Sequence, residues 1–346
     1  MLYHVIWKYI EKRKKILYFR INTRMVPTEY VMKEYIKPMD LFSQKELVFA
    51  AAPMVRYSKL QFRALVRRYN CDLAFTPMIV SRSFVQSSKA RDVEFTTNPE
   101  DRPLIVQFAA NNGKDLADAA ELVYRYCDGV DINCGCPQRW ALAEKYGAYL
   151  INEPELVRNM VLQLRNRIPD SEFTTSLKIR IHHDIRKTIE FCQRAEHCGV
   201  SWLTIHGRTI EQRKEPVNLE AIRTVVDSVR IPVLGNGDVF CLNDAKEMHE
   251  ITGVKGVMSA RGILQNPAMF AGYKYTPSTC IKDWLDISMQ LGTHFTTFHQ
   301  HLMFMLEKIL PRSERKVFNV LTSISSVIDY LDKHFINEVD LQNGIF

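Results

Sequence analysis

The chain has 346 residues, of which 46% are hydrophobic and 25% are charged. This balance is ordinary for a globular protein, so long disordered or fibrous segments are not expected. Lys and Arg total 46 against 39 Asp and Glu, and the formal charge of +7 favours polyanionic partners without identifying one. The length allows one large domain with a small appendage.

Cysteine usage and hydropathy predict the cellular compartment. The eight cysteines are too sparse for a disulfide-rich scaffold, so we expect free thiols in a reducing compartment. No run approaches the roughly 20 apolar residues of a membrane helix, and no secretory signal opens the chain. We therefore expect a soluble, cytoplasmic protein, with a nuclear location as the second choice. A basic N-terminus leaves organelle targeting as a minor alternative, against which Glu11 and the scarcity of Ser argue.

Residues 1–46 show no pattern that assigns them a role, and we treat them as an N-terminal extension. From residue 47 onward, short runs of β-forming residues alternate with charged helical stretches. Eight such alternations predict an α/β fold, a (β/α)8 TIM barrel over residues 47–276, with an open doubly wound sheet as the alternative. The predicted strands span residues 47–53, 71–77, 104–108, 129–133, 176–181, 202–206, 232–235 and 255–260.

Helical patterns fill the intervals between these strands, and the helices at 184–198 and 243–252 would end at Gly199 and Gly253. Beyond Pro277 only helical patterns follow, at residues 281–291, 297–310 and 314–334. The sequence therefore predicts a separate C-terminal all-helical module over residues 277–335 and a tail over 336–346.

Polar and glycine-rich residues concentrate where the predicted strands end. The carboxyl ends of barrel strands meet at one mouth, so unusual residues there indicate chemistry rather than packing. Almost every strand contributes such a group. The residues at these ends are Pro53, Met54, Pro77, Gln107, Asn133, Cys136, Lys178, Arg180, His206, Asn236, Gly237, Asp238, Ala260, Arg261 and Gly262.

Two adjacent turns after the last two strands fit a phosphate-binding corner. Residues 235–238 read Gly-Asn-Gly-Asp and residues 260–262 read Ala-Arg-Gly. Backbone N–H groups at such turns bind phosphate in many barrels, and Arg261 would add positive charge. The alternative is that both are merely tight turns between a strand and a helix.

Lys178 and Arg180 are two residues apart on one predicted strand, so their side chains point to the same face. Two cations facing a barrel interior need an anionic partner, because an unpaired buried charge is costly. A reduced flavin would supply one, since negative charge develops on its ring. Ion pairing with Asp131 or Asp238 is the alternative.

Cys136 lies on a loop of sequence Asn-Cys-Gly-Cys-Pro, over the predicted barrel mouth. No second Cys or His pair follows at a spacing suited to zinc, so we expect no metal site. We interpret Cys134 as a buried structural residue and Cys136 as a reactive thiol that donates a proton. His206 ends the sixth strand, where it would contact a cofactor or substrate, with a hydrogen-bonded core role as the alternative.

A basic stripe follows the first strand. Arg56, Lys59, Arg63 and Arg67 recur at helical spacing and would form one face of a helix near the barrel mouth. This face could be a solvated surface or an RNA contact. If RNA lies elsewhere, the C-terminal cations Lys308, Arg312, Arg315 and Lys316 are the next candidates.

In their order and spacing, these motifs resemble the tRNA-dihydrouridine synthase family. The resemblance covers residues 47–335 and is most specific in the cysteine loop and in the Lys-Ile-Arg triplet at 178–180. Details at residues 137–141 and 299–303 are most similar to the eukaryotic branch that modifies tRNA positions 20a and 20b. The motifs are Ala-Pro-Met-Val at 52–55, Thr-Pro-Met at 76–78, Gln-Phe at 107–108, Asp-Ile-Asn-Cys-Gly-Cys-Pro at 131–137 and His-Gly-Arg-Thr at 206–209, with the two glycine-rich turns.

The resemblance implies that the protein reduces a uridine of tRNA to 5,6-dihydrouridine, with FMN as cofactor and NADPH as electron donor. It implies that Cys136 is the general acid, that Asn133 and Arg180 contact the uridine, and that the target nucleotide is flipped out of its stack. An FMN barrel acting on a free small molecule and an inactive tRNA-binding barrel are the alternatives. The implied FMN contacts are Pro53, Met54, Val55, Gln107, Lys178, His206, Asn236, Gly237, Asp238, Ala260 and Arg261.

Overall fold

The computed structural model of the chain describes residues 35–336, with side chains described as far as His334. Most of the N-terminal extension, including its basic segment, and nearly all of the predicted tail lie outside these residues. The described part divides into two compact units, residues 36–310 and residues 311–336 with Tyr35. Each unit is considered by itself below, and the domain boundaries predicted at 276 and 277 stay a prediction.

Eight parallel strands close into a barrel in the larger unit. Around the barrel the order is β1, β2, β4, β5, β6, β7, β8, β9 and back to β1, and every pairing is parallel. This confirms the (β/α)8 fold. The strands are Val48–Ala51 (β1), Leu73–Phe75 (β2), Ile79–Val80 (β3), Leu104–Ala109 (β4), Gly129–Cys134 (β5), Thr174–Arg180 (β6), Trp202–His206 (β7), Val233–Asn236 (β8) and Gly256–Ser259 (β9).

The second barrel strand is interrupted, which the sequence pattern did not predict. β2 pairs with the start of β4, through Ala74 and Phe75, and the two-residue strand β3 pairs with its end, opposite Phe108 and Ala109. Pro77 lies in the gap, and proline cannot donate a ladder hydrogen bond. The interruption lets residues 76–78 leave the sheet at the barrel mouth.

Helices follow the strands and cover the barrel. Two of the predicted helix ends are confirmed in detail: the Asp184 side chain accepts from the Arg186 N–H at the start of α8, and Gly253 ends α10 at φ 73°, in the left-handed region that favours glycine. The helices are Pro38–Gln44 (α1), Leu60–Arg68 (α2), Ser81–Gln86 (α3), Ser88–Glu94 (α4), Gly113–Val123 (α5), Arg139–Ala143 (α6), Pro154–Arg167 (α7), Ile185–His197 (α8), Leu219–Ser228 (α9), Leu242–Thr252 (α10), Arg261–Gln265 (α11), Ser278–Gln290 (α12) and Phe295–Leu306 (α13).

The predicted helices after Pro277 fall in both units. α12 and α13 belong to the unit that contains the barrel, and Arg68 and Tyr69 at the end of α2 bind Asp283 of α12 through 2.8 Å and 2.7 Å contacts. The smaller unit contains Arg312–Asn319 (α14) and Ile324–Leu331 (α15), followed by a π-helical turn at Asp332–Ile336. Within it, the Tyr330 hydroxyl donates to Glu314 over 2.8 Å.

The strands around the barrel are largely buried. All residues of β4, β5, β8 and β9 are buried, and an apolar cluster that includes Phe42, Phe75 and Trp202 packs with residues of β1, β2, β4, β8 and β9. All eight cysteines are free thiols, as predicted. No helix among the described residues combines the length and the apolar character that crossing a bilayer requires.

At Arg63 and Arg67 the structure contradicts both interpretations of the basic stripe, a solvated face and an RNA contact, because these two side chains are largely buried in ion pairs. The Arg63 side chain is 1% exposed and lies 2.6 Å from the Asp101 carboxylate. Arg67 also contacts Asp101, at 3.2 Å, and Lys59 pairs with Glu94. Arg56 precedes the helix altogether, at φ 73°. The predicted face exists, but it is turned toward the segment before β4 rather than toward solvent.

Candidate active site at the carboxyl end of the barrel

A chain of buried side chains fixes the loop that carries Cys136. Ser176 donates to one Asp131 oxygen over 2.7 Å, and Gln107 donates to the other over 2.8 Å. The Asn133 side-chain amide in turn donates to the side-chain oxygen of Gln107 over 2.8 Å. Burial raises the pKa of Asp131 to about 7, against the opposing hydrogen bonds from Ser176 and Gln107. The predicted residues Gln107 and Asn133 therefore form one network at the base of the mouth.

Asn133 ends this network at the backbone of the cysteine loop. Its side-chain oxygen accepts from the N–H groups of Gly135, at 3.1 Å, and Cys136, at 2.9 Å. With its amide nitrogen bound to Gln107, the Asn133 side chain holds the loop in place. The uridine contact that the resemblance implies for Asn133 stays a prediction.

Cys136 is half-buried, whereas Cys134 is fully buried in β5. Burial raises the pKa of the Cys136 thiol, and the cations Arg180 and Lys178 only partly oppose this. The backbone beside it is shaped by Gly147, whose φ of 63° favours glycine and whose added Cβ would lie 2.8 Å from the Cys136 Cβ. A protonated thiol thus faces the barrel mouth in a fixed position.

Lys178 and Arg180 share one face of β6, as predicted, and neither has a carboxylate partner within the described residues. Lys178 donates to the side-chain oxygen of Asn236 over 2.8 Å. Arg180 donates only to backbone carbonyls, those of Gly135, Thr209 and Gln212. Burial lowers the pKa of Lys178 to about 8, against the opposing attraction of Asp131. The alternative of ion pairing with Asp131 or Asp238 is wrong.

A second group of polar residues lines a cavity of about 250 Å³ beside β7, β8 and β9. Asp238, at φ 52°, accepts from Arg208 in a very short contact and from Arg261 at 3.3 Å. Burial and, to a smaller extent, the surrounding cations together lower the pKa of His206 to about 2, so the imidazole is neutral. The lining includes Arg180, His206, Arg208, Arg213, Asn236, Gly237, Asp238, Phe240, Ala260 and Arg261.

Most of the predicted residues meet at this mouth because the strand register aligns them. Asn133 lies beside Lys178, Arg180 lies beside His206, and His206 lies beside Asn236. The segment Pro53 to Val55 does not line the same cavity as these residues. Met54 packs against the apolar cluster that includes Phe42 and Trp202. Val55 is 49% exposed and lines a different cavity.

Sequence reasoning missed several residues of the site. The sequence did not single out Arg208 as a site residue, although Arg208 lines the cavity and forms an ion pair with Asp238. Its position two residues after His206 could have indicated that it lies at the barrel mouth. Arg213 lies in a loop without periodicity, and nothing in the sequence distinguishes it. Gly147 is recognisable only from its backbone angle. Among the described residues, no three His, Cys, Asp or Glu side chains are grouped to bind a metal ion.

The comparisons of the sequence with known proteins point to one family. The family model described as Dihydrouridine synthase (Dus) matches residues 50–335. A Mus musculus protein named tRNA-dihydrouridine(20a/20b) synthase (NAD(P)+)-like is 56% identical over 313 residues, which are 90% of this chain and 97% of the mouse protein. Its Homo sapiens namesake is 57% identical over 298 residues, 86% and 94% of the two chains. The Schizosaccharomyces pombe tRNA-dihydrouridine(20a/20b) synthase is 44% identical over 306 residues, 88% and 93% of the two chains.

Proposed function

Because this chain belongs to the dihydrouridine synthase family, we propose that it reduces uridine to 5,6-dihydrouridine in tRNA, with FMN as bound cofactor and NADPH as electron donor. The proposal extends to tRNA positions 20a and 20b. It is supported by relatives that bear this name and are matched over more than nine-tenths of their own length.

The observation that carries the proposal is the uncompensated positive charge beside the Cys136 thiol. Lys178 and Arg180 are largely withdrawn from water without a carboxylate partner, so the site favours an anion at this point. The adjoining cavity is also cationic, because Arg180, Arg208, Arg213 and Arg261 face the single carboxylate of Asp238. An anionic isoalloxazine ring and a phosphate group, both present in FMN, match these two places.

The residues present therefore fit FMN. Lys178 and His206 would lie against the ring, Gln107 and the segment Pro53 to Val55 would flank it, and Asn236, Gly237, Asp238, Ala260 and Arg261 would surround the phosphate arm. Only glycine suits the turn at Gly237, where φ is 121° and an added Cβ would lie 2.2 Å from a Val217 methyl and 3.0 Å from the His206 ring. When bound and reduced by NADPH, FMN would supply the hydride that C6 of the uracil ring accepts.

Cys136 supplies the proton that C5 of uracil needs to complete the reduction. A general acid must be protonated at working pH, and the raised pKa of Cys136 keeps the thiol in that form. Arg180 braces the same loop by donating to the Gly135 carbonyl over 3.0 Å. Its second terminal nitrogen makes no hydrogen bond to the described residues, so it can donate to a uracil carbonyl.

The first experiment replaces Cys136 with Ala. Dihydrouridine formation on tRNA should fall by roughly 10² or more, as for loss of a positioned acid. Flavin content and NADPH oxidation should stay near wild type, because the thiol takes no part in either. Dihydrouridine is quantified in purified tRNA, and flavin by absorbance of the protein and after release by heat.

Cys198→Ala is the matched control, because Cys198 is also half-buried but lies at the end of α8, outside the site. Normal tRNA turnover by Cys136→Ala would make the thiol structural. Wild-type protein that retains flavin and reduces a free uracil compound but not tRNA would favour the small-molecule alternative. A protein that cannot be loaded with flavin would favour an inactive tRNA-binding barrel.

A further inference from the structure

A second cavity, of about 480 Å³, opens on the opposite side of the mouth from the cationic one. It is formed by the residues after β1, by β3 with α3 and α4, and by α6. Its walls are largely apolar, and apart from Val55, which would also flank the flavin, none of the functions argued above uses them. The larger apolar side chains of the lining include Val55, Met78, Val80, Phe84, Val93 and Trp140. We refer to these six residues as the apolar groove.

Trp140 is the most unusual member of the apolar groove. It lies four residues after Cys136, in the short helix α6, and is 43% exposed. Trp202 and Trp284, in contrast, are completely buried. The Trp140 indole N–H donates to the side-chain oxygen of Gln138, which steadies the ring. A large aromatic face is thereby held open to solvent beside the loop of the proposed acid.

The groove lies next to the loop that carries Cys136. Met78 and Val80 from the groove and Cys136 from the loop pack against the same small cluster, which consists of Ala109, Ala141 and Tyr146. The groove and the proposed acid are therefore neighbours that share one set of supporting side chains.

Unpaired positive charge surrounds this groove. Arg82, Lys89 and Arg139 are exposed, and within the described part of the chain none of them forms an ion pair or a side-chain hydrogen bond. Lys89 lines the groove itself, and Arg139 directly precedes Trp140. The one carboxylate in the lining, that of Glu94, lies 3.3 Å from Lys59 and is thereby neutralised. An aromatic platform rimmed by cations is the combination that binds single-stranded nucleic acid.

We propose that the apolar groove binds a nucleobase of the RNA that neighbours the uridine being reduced, stacked on the face of Trp140, with phosphates placed against Arg82, Lys89 and Arg139. This inference rests on the proposed function. Drawing one nucleotide out of its stack also removes a stacking partner from its neighbour. Trp140 replaces that partner and so offsets part of the cost of extrusion.

The test compares Trp140→Ala and Trp140→Phe with the wild-type holoenzyme. Loss of one stacked base should weaken tRNA binding by between about 5-fold and 150-fold in Trp140→Ala. Trp140→Phe, which keeps an aromatic face, should recover most of the affinity. The control is Tyr275→Ala, an equally exposed aromatic residue outside both cavities. Affinity is measured by titration with tRNA, and flavin content should be unchanged in all variants.

A base-removal experiment identifies what the ring touches. In tRNA that lacks the base flanking the target uridine, wild type should lose the same affinity that Trp140→Ala loses on intact tRNA. Trp140→Ala should lose nothing further on the abasic substrate. Independent losses in the two experiments would overturn the proposal, as would a higher KM for NADPH with unchanged tRNA affinity. If wild type forms no dihydrouridine at all, the proposed function fails instead.

Discussion

Two pairs of basic residues in the unit that contains the barrel, one buried and one partly buried, differ in what neutralises them. Arg63 and Arg67 on α2 share the carboxylate of Asp101, at 2.6 Å and 3.2 Å. Lys178 and Arg180 on β6 have no carboxylate partner within the described residues and bind only amide and carbonyl oxygens. The first pair shares a buried carboxylate partner, whereas the second has none within the described residues.

This difference separates a structural cation from one that serves a ligand. A buried arginine that is already paired with a carboxylate of the protein attracts an anionic ligand only weakly, because the carboxylate cancels most of its electrostatic potential. An uncompensated cation in a concave site costs free energy until an anion arrives. Burial of a basic side chain therefore says little about function until its partners are known.

The largest effect that the comparison predicts is the loss of the completed pair. Replacing Arg63 with Met leaves Asp101 buried with the weaker Arg67 contact and the hydrogen bond from the Thr97 hydroxyl. It also removes hydrogen bonds from Arg63 to the carbonyls of Ser58 and Thr96. The free energy of unfolding should fall by about 3 to 5 kcal/mol, the range measured when one partner of a buried pair is removed. Denaturant unfolding gives this value directly.

Arg223→Met is the matched control for that change. Arg223 forms a loose pair with Asp227, at 3.9 Å, and both side chains are mostly exposed. Its removal should cost less than about 0.5 kcal/mol. The assignment of Arg63 as a structural cation would be contradicted if Arg63→Met were as stable as wild type and showed a weaker salt dependence of tRNA binding. That result would make Arg63 an RNA contact.

Arg63 also illustrates how much of this molecule is predictable from sequence. Helical spacing correctly placed Arg63 and Arg67 on one face, but Asp101 lies in a loop more than 30 residues away, where no local pattern links the two. The strands and the rim residues Lys178, His206 and Asn236 were predictable because strand period and barrel topology are local, repetitive rules. The apolar groove was not, because β3, α4 and α6 are brought together only by tertiary packing.

A buried histidine shows that a missing partner does not by itself mark a ligand site. His301 on α13 is completely buried, stacked on Phe62 at 4.6 Å and close to Trp284 and Tyr57. Neither ring nitrogen makes a side-chain hydrogen bond within the described residues. Burial lowers the pKa of His301 to about 3, weakly opposed by the Tyr57 backbone. The ring is neutral and simply fills an aromatic cluster.

The second prediction therefore concerns stability in acid rather than binding. Below pH 6.5 the unfolded chain binds a proton at His301 that the folded chain does not, so stability falls as pH falls. Between pH 6.5 and pH 5 this one residue should remove about 2 kcal/mol from the free energy of unfolding. His301→Phe should flatten the pH dependence by that amount. His197→Phe, at an exposed position on α8, should leave it unchanged.

The smallest predicted change in the free energy of unfolding comes from replacing Lys178, and its sign is opposite to that predicted for Arg63→Met. At pH 7 the folded, flavin-free protein must keep Lys178 charged although burial lowers its pKa to about 8, below the value near 10.5 of an exposed lysine. The penalty is fully present below pH 8, and it is relieved as pH rises toward 10.5, because the folded lysine loses its proton first. Lys178→Met removes this penalty.

The lowered pKa of Lys178 corresponds to a penalty of about 3 kcal/mol at pH 7, and loss of the hydrogen bond from Lys178 to Asn236 offsets part of the gain on its removal. We therefore expect Lys178→Met to raise the free energy of unfolding of the flavin-free protein at pH 7 by about 1 to 2 kcal/mol, while flavin is retained poorly and reduced slowly by NADPH. Lys246→Met, an exposed change on α10, should do neither. In wild type, flavin affinity should decline as pH rises past 8, because an anion binds best while Lys178 is protonated. If Lys178→Met instead destabilised the flavin-free protein as Arg63→Met should, Lys178 would be a structural cation with a partner, and the distinction between the two pairs would fail.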